Sequence, residues 1–99
     1  MKFDHVAINV KNLDVSIEWY LNNLNASIDY CDESWAMLSI GDVKVALTLA
    51  SQHPPHLAFK VEDFGKDFEN TNLHRDNSRY LYMTDPDGNT VELIQYAKC

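Results

Sequence analysis

Two stretches of the chain alternate between apolar and small or polar residues in the same way. Residues 5–10 read HVAINV and residues 56–61 read HLAFKV, with a branched or aromatic side chain at every second position. A period of two predicts a β-strand with one face against a core. The other face opens on a histidine in both stretches, His5 and His56. We therefore predict two strands that each carry an imidazole on the side away from the core.

The second half of the chain repeats the first. Residues 5–18, HVAINVKNLDVSIE, match residues 56–69, HLAFKVEDFGKDFE, at a constant offset of 51. In each copy the alternating strand is followed by apolar residues at helical spacing. The helical stripe of the first copy consists of Leu13, Ile17, Tyr20, Leu21 and Leu24. The repeat predicts two copies of one unit, a strand followed by a helix.

Further strands follow each helix. SIDYC, WAMLSI and VKVALTL complete the first copy, and Gly41-Asp42 predicts a hairpin turn between the last two. The second copy contains RYLYMT and NTVELIQY around DPDG, a strong turn signal, and NLHRDNS stands in the place of its remaining strand. We expect an α+β fold of two βαβββ modules, at about 1–50 and 53–99, the second shortened. Because no linker interrupts the pattern, both modules are expected to form a single domain, residues 1–99.

Composition narrows the classes of partner. Fifteen acidic and eight basic residues give a net charge of −7, which repels phosphate backbones, so we expect no nucleic-acid partner. A small or cationic ligand fits this charge better. Neither a run of 18 apolar residues nor a basic-then-apolar leader occurs, so we expect no membrane partner and a cytoplasmic location. Cys31 and Cys99 are expected to be reduced thiols.

A third ionisable group shares the face of the two histidines. The hairpins of the two copies align at an offset of 46, which places Glu92 over Ala46. Alternation in NTVELIQY separates Glu92 from Val91 and Leu93. Two imidazoles and one carboxylate are a ligand set for a divalent cation with open coordination positions, and Mn²⁺, Fe²⁺, Ni²⁺ and Zn²⁺ all stay possible. The competing interpretation is a site that binds a ligand without metal.

The quoted motifs resemble a known family. HVAINVKNLDVSIEWYLNNL and YMTDPDGNTVELIQY are similar to the two modules of the vicinal oxygen chelate superfamily. This superfamily includes glyoxalase I, bleomycin-resistance proteins, extradiol dioxygenases and fosfomycin-resistance thiol transferases. The resemblance implies an open, cup-shaped sheet, with metal ligands on the first and last strands of the modules. It therefore implies that His5, His56 and Glu92 are the metal ligands.

The resemblance also favours one branch of the superfamily. Glyoxalase I-like members use a fourth ligand, Glu or Gln, where this chain has Ala46, which cannot coordinate a metal. The departure argues against glyoxalase I and acyl-CoA epimerase activity and favours three-ligand members. Among these, the length of the chain and YLYM before DPDG are most similar to the fosfomycin-resistance enzymes. A divalent-metal lyase or transferase acting on a small oxygenated molecule is the function that this resemblance implies.

Several residues are expected to contact the substrate. The resemblance implies Tyr82, on the last hairpin, as a substrate-contacting tyrosine. The further candidates are Trp35, Asn9, Thr48 and Arg79. Few basic side chains could hold a phosphonate, since Arg75, Arg79 and Lys60 are the nearby candidates. His53 and His74 lie in loops rich in Pro and Asn, and we assign them no role. No catalytic residue is assigned.

A second class of function is sequestration without catalysis. Bleomycin-resistance proteins are acidic dimers that bind a cationic drug, and this chain combines a charge of −7 with several aromatic residues. In either class we expect a homodimer, because two short modules leave sheet edges uncovered. The resemblance further implies sites shared between chains, with His5 of one subunit beside His56 and Glu92 of the other.

Overall fold

The computed structural model describes residues 1–97. Eight strands and two helices follow in the order β1 (Lys2–Asn9), α1 (Leu13–Leu24), β2 (Ser27–Cys31), β3 (Trp35–Ile40), β4 (Val43–Thr48), β5 (His56–Lys60), a 3₁₀ helix (Gly65–Asn70), β6 (Asn72–Leu73), β7 (Arg79–Thr84) and β8 (Thr90–Gln95). In the first module the strand order is β2-β3-β4-β1, and in the second it is β5-β8-β7-β6. The predicted α+β fold with two βαβββ modules is confirmed, and the two-residue β6 is the shortened strand of the second module. Cys99 lies outside the described residues, and Cys31 is a free, exposed thiol.

The chain divides into two compact units. One consists of residues 5–56, and the other of residues 1–4 together with those from 57 onward. The boundaries between the two units fall inside β1 and β5, immediately before His5 and immediately after His56. The single domain expected over the whole chain stays a prediction.

In the unit of residues 5–56, α1 is bounded by two asparagines. The side chain of Asn12 accepts a hydrogen bond from the Val15 amide at 3.1 Å, as an N-cap does. Asn25 ends the helix in the left-handed region, at φ 53°, where asparagine is tolerated better than other non-glycine residues. The helix packs most of its predicted stripe on the sheet, but Leu24 is 44% exposed. The buried cluster is Leu13, Ile17, Ala36, Leu38, Val45 and Leu47.

The other face of the same unit is lined by small and polar residues. β1 runs parallel to β4 with Ala7 opposite Ala46 and Asn9 opposite Thr48. β3 is antiparallel to β4, with Trp35 also opposite Thr48. Directly paired residues project to the same side of a sheet. His5, two residues before Ala7, therefore lies on the sheet face that α1 does not cover.

In the other unit, the β7–β8 hairpin closes through the predicted DPDGN turn. The carboxylate of Asp85 accepts hydrogen bonds from the amides of Asp87 and Asn89, at 2.9 and 2.7 Å. Gly88 adopts φ 87°, which costs a glycine little. This turn sets the register that places Tyr82 opposite Glu92.

The second helix differs from its repeat partner. It is a six-residue 3₁₀ helix, and Gly65, with φ 54°, stands where the first copy has the helical Asp14. Phe64, which immediately precedes this helix, is buried, whereas Phe68 within the helix is exposed. Leu57 was expected on a core-facing side of β5, but it is 45% exposed. One short helix covers less of a strand than α1 does, which explains the difference.

Within residues 1–97, no helix combines the length and apolar character needed to cross a membrane.

Candidate metal centre

His5 and His56 are buried neighbours. Their side chains are 6% and 8% exposed, and their ring centroids are 5.6 Å apart at an interplanar angle of 71°. Each occupies the strand position predicted from the alternation, and the next residue on the same face is a buried alanine, Ala7 or Ala58. Small neighbours leave room around the imidazoles.

The backbone before β5 orients the His56 ring. Nδ1 of His56 lies 2.7 Å from the carbonyl oxygen of Pro54, to which it donates. In a neutral imidazole this bond places the proton on Nδ1 and the lone pair on Nε2, which is the form of the ring that binds a metal through Nε2. The His53-Pro-Pro-His56 loop therefore holds a histidine tautomer suitable for metal binding.

Glu92 supplies a buried carboxylate. It lies on β8, is 2% exposed and is paired with Tyr82 of β7. Its Oε2 lies 3.0 Å from Nε2 of His74. A buried carboxylate is costly without partners, so this contact helps to stabilise its charge.

The three expected ligands are all buried. His5 and His56 are neighbours in the unit of residues 5–56, and Glu92 lies in the other unit. Each offers one ligand atom to a metal ion. Two nitrogen donors and one anionic oxygen donor also match the chemistry of a divalent cation. The residues present therefore fit the metal that the donor set implies.

Tyr82 lies beside the carboxylate. Because paired strand residues share a face, its side chain projects on the Glu92 side of β7 and β8. Burial, and secondarily the charge of Glu92, raises the pKa of Tyr82 above its ordinary range. Its phenol is therefore neutral at physiological pH and can donate a hydrogen bond.

The structure places Asn9, Thr48 and Trp35 on the His5 face of their own unit. Thr48 is buried and its hydroxyl donates to Oδ1 of Asn9 at 2.8 Å. The Trp35 ring lies 4.8 Å from that of Tyr30. These three residues share the face of a candidate ligand, and their contact with a substrate stays a prediction.

Arg79 does not share the sheet face of Tyr82. It is three residues from Tyr82 on β7, so the two side chains project to opposite faces. Its guanidinium carbon is 4.3 Å from the centroid of the Phe68 ring, and its Nη1 donates to Thr71 at 2.7 Å. We therefore do not include Arg79 among the substrate contacts proposed below.

His74 is the residue that the sequence interpretation missed. It was assigned no role, yet it binds Glu92 and stacks on Tyr80, with ring centroids 3.7 Å apart at 10°. The signal lay in the short β6, because continuing its pairing with β7 places His74 on the face of Tyr80 and Tyr82.

The fold and this site define a protein of two βαβββ repeats with a candidate centre for a divalent metal. Residues 2–72 match the family model described as glyoxalase/bleomycin resistance protein/dioxygenase superfamily. The chain belongs to this superfamily, as its motifs indicated.

Individual relatives agree with this assignment. The chain is 25% identical to the metallothiol transferase FosB of Staphylococcus epidermidis, over 97% of this chain and 88% of the relative. Its fold is similar to that of methylmalonyl-CoA epimerase from Mycobacterium tuberculosis, with a TM-score of 0.70 at 23% identity over 98% of this chain and 89% of the other. A variant of the Streptomyces coelicolor epimerase, in complex with 2-nitronate-propionyl-CoA, gives 0.77 at 18% identity over 99% of both chains. At these identities the epimerases are evidence for the fold alone.

Proposed function

We propose that this chain is a divalent-metal-dependent transferase or lyase that acts on a small oxygenated molecule. The observation that carries the proposal is a set of three buried donors, the neighbouring His5 and His56 and the carboxylate of Glu92, which could hold a metal ion. A divalent ion held by two imidazoles and one carboxylate supplies Lewis acidity to substrate oxygens at its open positions. The similarity to metallothiol transferase FosB supports thiol transfer as the reaction class to test first.

Tyr82 is the first residue that we propose to contact the substrate. Its raised pKa keeps the phenol protonated, so it can donate a hydrogen bond to a substrate oxygen. Asn9 and Thr48 offer a carbonyl and a hydroxyl that are already fixed by their mutual hydrogen bond. Side chains held in this way lose little conformational freedom when a substrate binds.

The charges favour a substrate with little negative charge. Arg79 packs on Phe68, and Arg75 and Lys60 are exposed. A dianion would approach a chain of net charge −7 with few described cations to attract it. We therefore propose a neutral epoxide or a related oxygenated molecule, in preference to a phosphonate.

Metal content tests the proposal first. Mass spectrometry of the purified protein, followed by titration of Mn²⁺, Ni²⁺, Zn²⁺ and Fe²⁺ into chelator-treated protein, should give stoichiometric binding. Glu92→Gln removes the anionic ligand and should weaken affinity by more than about a hundredfold. Glu69→Gln, an exposed carboxylate of the 3₁₀ helix, is the matched control and should bind as the original chain does. Equal affinity in the E92Q variant would contradict the three-ligand site.

Sequestration of a cationic aromatic molecule is the second candidate. The net charge of −7 and the neighbouring rings of Tyr30 and Trp35 favour it. If metal titration gives no binding, fluorescence quenching of Trp35 by such compounds becomes the measurement to make. Quenching that is lost in a Trp35→Leu variant, but kept in E92Q, would support sequestration.

We also propose that the chain forms a homodimer in the cytoplasm. β2 is exposed along its whole length at one end of the strand order, and a second copy is a simple cover for such an edge. The free thiol of Cys31 is consistent with a reducing compartment.

A further inference from the structure

We infer that His74 is a positioning residue for Glu92, an inference that rests on the metal-binding function proposed above. Nε2 of His74 lies 3.0 Å from Oε2 of Glu92, and the carboxylate is almost wholly buried. When this nitrogen carries a proton it donates to Oε2. One carboxylate oxygen is then engaged by His74, and Oε1 is the oxygen that we expect to bind an ion.

Stacking fixes the plane of the His74 ring. Its centroid lies 3.7 Å from that of Tyr80, and the two rings are almost parallel, at 10°. Tyr80 in turn meets Tyr82 edge to face at 5.3 Å. Since the imidazole cannot rotate without losing this stack, the direction of its Nε2 is set before any ion binds.

The backbone of the β6–β7 turn holds His74 from the other side. The amide of His74 donates to the carbonyl of Ser78 at 2.9 Å, and its own carbonyl accepts from the amide of Asn77 at 3.0 Å. Ser78 is buried, and both its amide and its hydroxyl donate to Asp76. The Ser78 hydroxyl also lowers the pKa of Asp76, so this carboxylate stays ionised in the turn. The turn is therefore a rigid support for His74.

The hydrogen bond from His74 affects how Glu92 can bind a metal ion. A carboxylate with one oxygen held by a donor offers its other oxygen to an ion, and binding through one oxygen leaves more coordination positions for substrate oxygens. Without the His74 donor, Glu92 loses the contact that favours binding through one oxygen. Partners in the second coordination shell commonly change metal affinity by about 10- to 100-fold in this way.

Two variants separate the hydrogen bond from the stack. His74→Phe keeps a ring that can stack on Tyr80 but has no donor, whereas His74→Gln keeps an N–H donor without the ring. We expect H74F to weaken Mn²⁺ affinity about 10- to 100-fold and H74Q to recover most of this loss. Leu73→Phe, at the exposed residue just before His74, is the matched control and should bind Mn²⁺ as the original chain does.

The absorption spectrum of bound Co²⁺ provides a second readout, because its d–d bands respond to ligand geometry. We expect a changed spectrum in H74F and an almost unchanged one in H74Q. If H74F does not fold, Tyr80→Leu replaces it, and its loss of the stack should weaken Mn²⁺ binding and change the Co²⁺ spectrum. Unchanged affinity and spectrum in the variant that folds would overturn the role of His74 alone. Failure of the original chain to bind any metal would overturn the proposed function together with this inference.

Discussion

At the scale of single residues, partners decide what each ionisable group can do. Nδ1 of His56 donates to a backbone carbonyl two residues earlier, so the tautomer of its ring is set locally. Glu92 has a histidine beside one oxygen, and that contact crosses 18 residues of sequence. One of these arrangements follows from neighbours in the chain, while the other needs a register between strands.

The pKa of Tyr82 gives a test at the same scale. In metal-free protein, ultraviolet titration should show two phenols that keep their protons above the usual range, because burial also raises the pKa of Tyr96. Tyr82→Phe should remove one of these two late transitions. Because the negative charge of Glu92 opposes formation of a second negative charge, E92Q should move the Tyr82 transition to lower pH. Burial, the larger cause, stays in E92Q, so the shift should be partial. Two late transitions that both persist in full in the Tyr82→Phe variant would contradict the assignment.

At the scale of elements, the two copies of the repeat have diverged in their helices. α1 carries an apolar stripe and two asparagine caps, whereas Gly65 and a shorter apolar pattern leave a 3₁₀ helix in the second copy. The strands have kept more of the common pattern than the helices. Sheet pairing constrains both edges of an inner strand, while a covering helix can shorten without changing the register.

Two leucines test this difference. Leu47 is fully buried under α1, and Leu57 is 45% exposed. Leu47→Ala should lower the free energy of unfolding by about 2–5 kcal/mol, since it leaves a cavity. Leu57→Ala should cost less than about 1 kcal/mol, because much of its side chain already contacts water. Urea unfolding of both variants measures these values, and equal losses would show that the second helix covers β5 more fully than described.

At the scale of the whole molecule, the question is whether one chain completes a metal site. The prediction from the resemblance is a site shared between two chains, with His5 of one subunit beside His56 and Glu92 of the other. A shared site would bind metal only in the dimer.

Mixing two inactive variants decides between these arrangements. His5→Ala and E92Q each remove one ligand, and a dimer of the two would rebuild one complete site only if sites are shared. We expect partial recovery of metal binding after the variants are unfolded together and refolded, because the mixed dimer combines the intact His5 of one chain with the intact Glu92 of the other. The H5A variant refolded alone is the control. A mixture that binds no more metal than this control would overturn the shared site.

Much of this protein could be predicted from the pattern of its residues. Alternation gave the faces of β1, β5 and β8, and the 51-residue repeat related the two histidines to each other. These features are local, because strand faces have a period of two and turn residues such as Gly88 act within four residues. The family followed from the same motifs, and residues 2–72 match its model.

Other features depended on the tertiary structure. The contact of His74 with Glu92, the placement of Arg79 on Phe68 and the exposure of Leu57 all depend on contacts that the local pattern does not specify. The sequence by itself determined which residue types face which side of each strand, because that follows from backbone geometry. Only the tertiary structure decided which of those residues meet, because sheet register and helix length bring together side chains that are far apart along the chain.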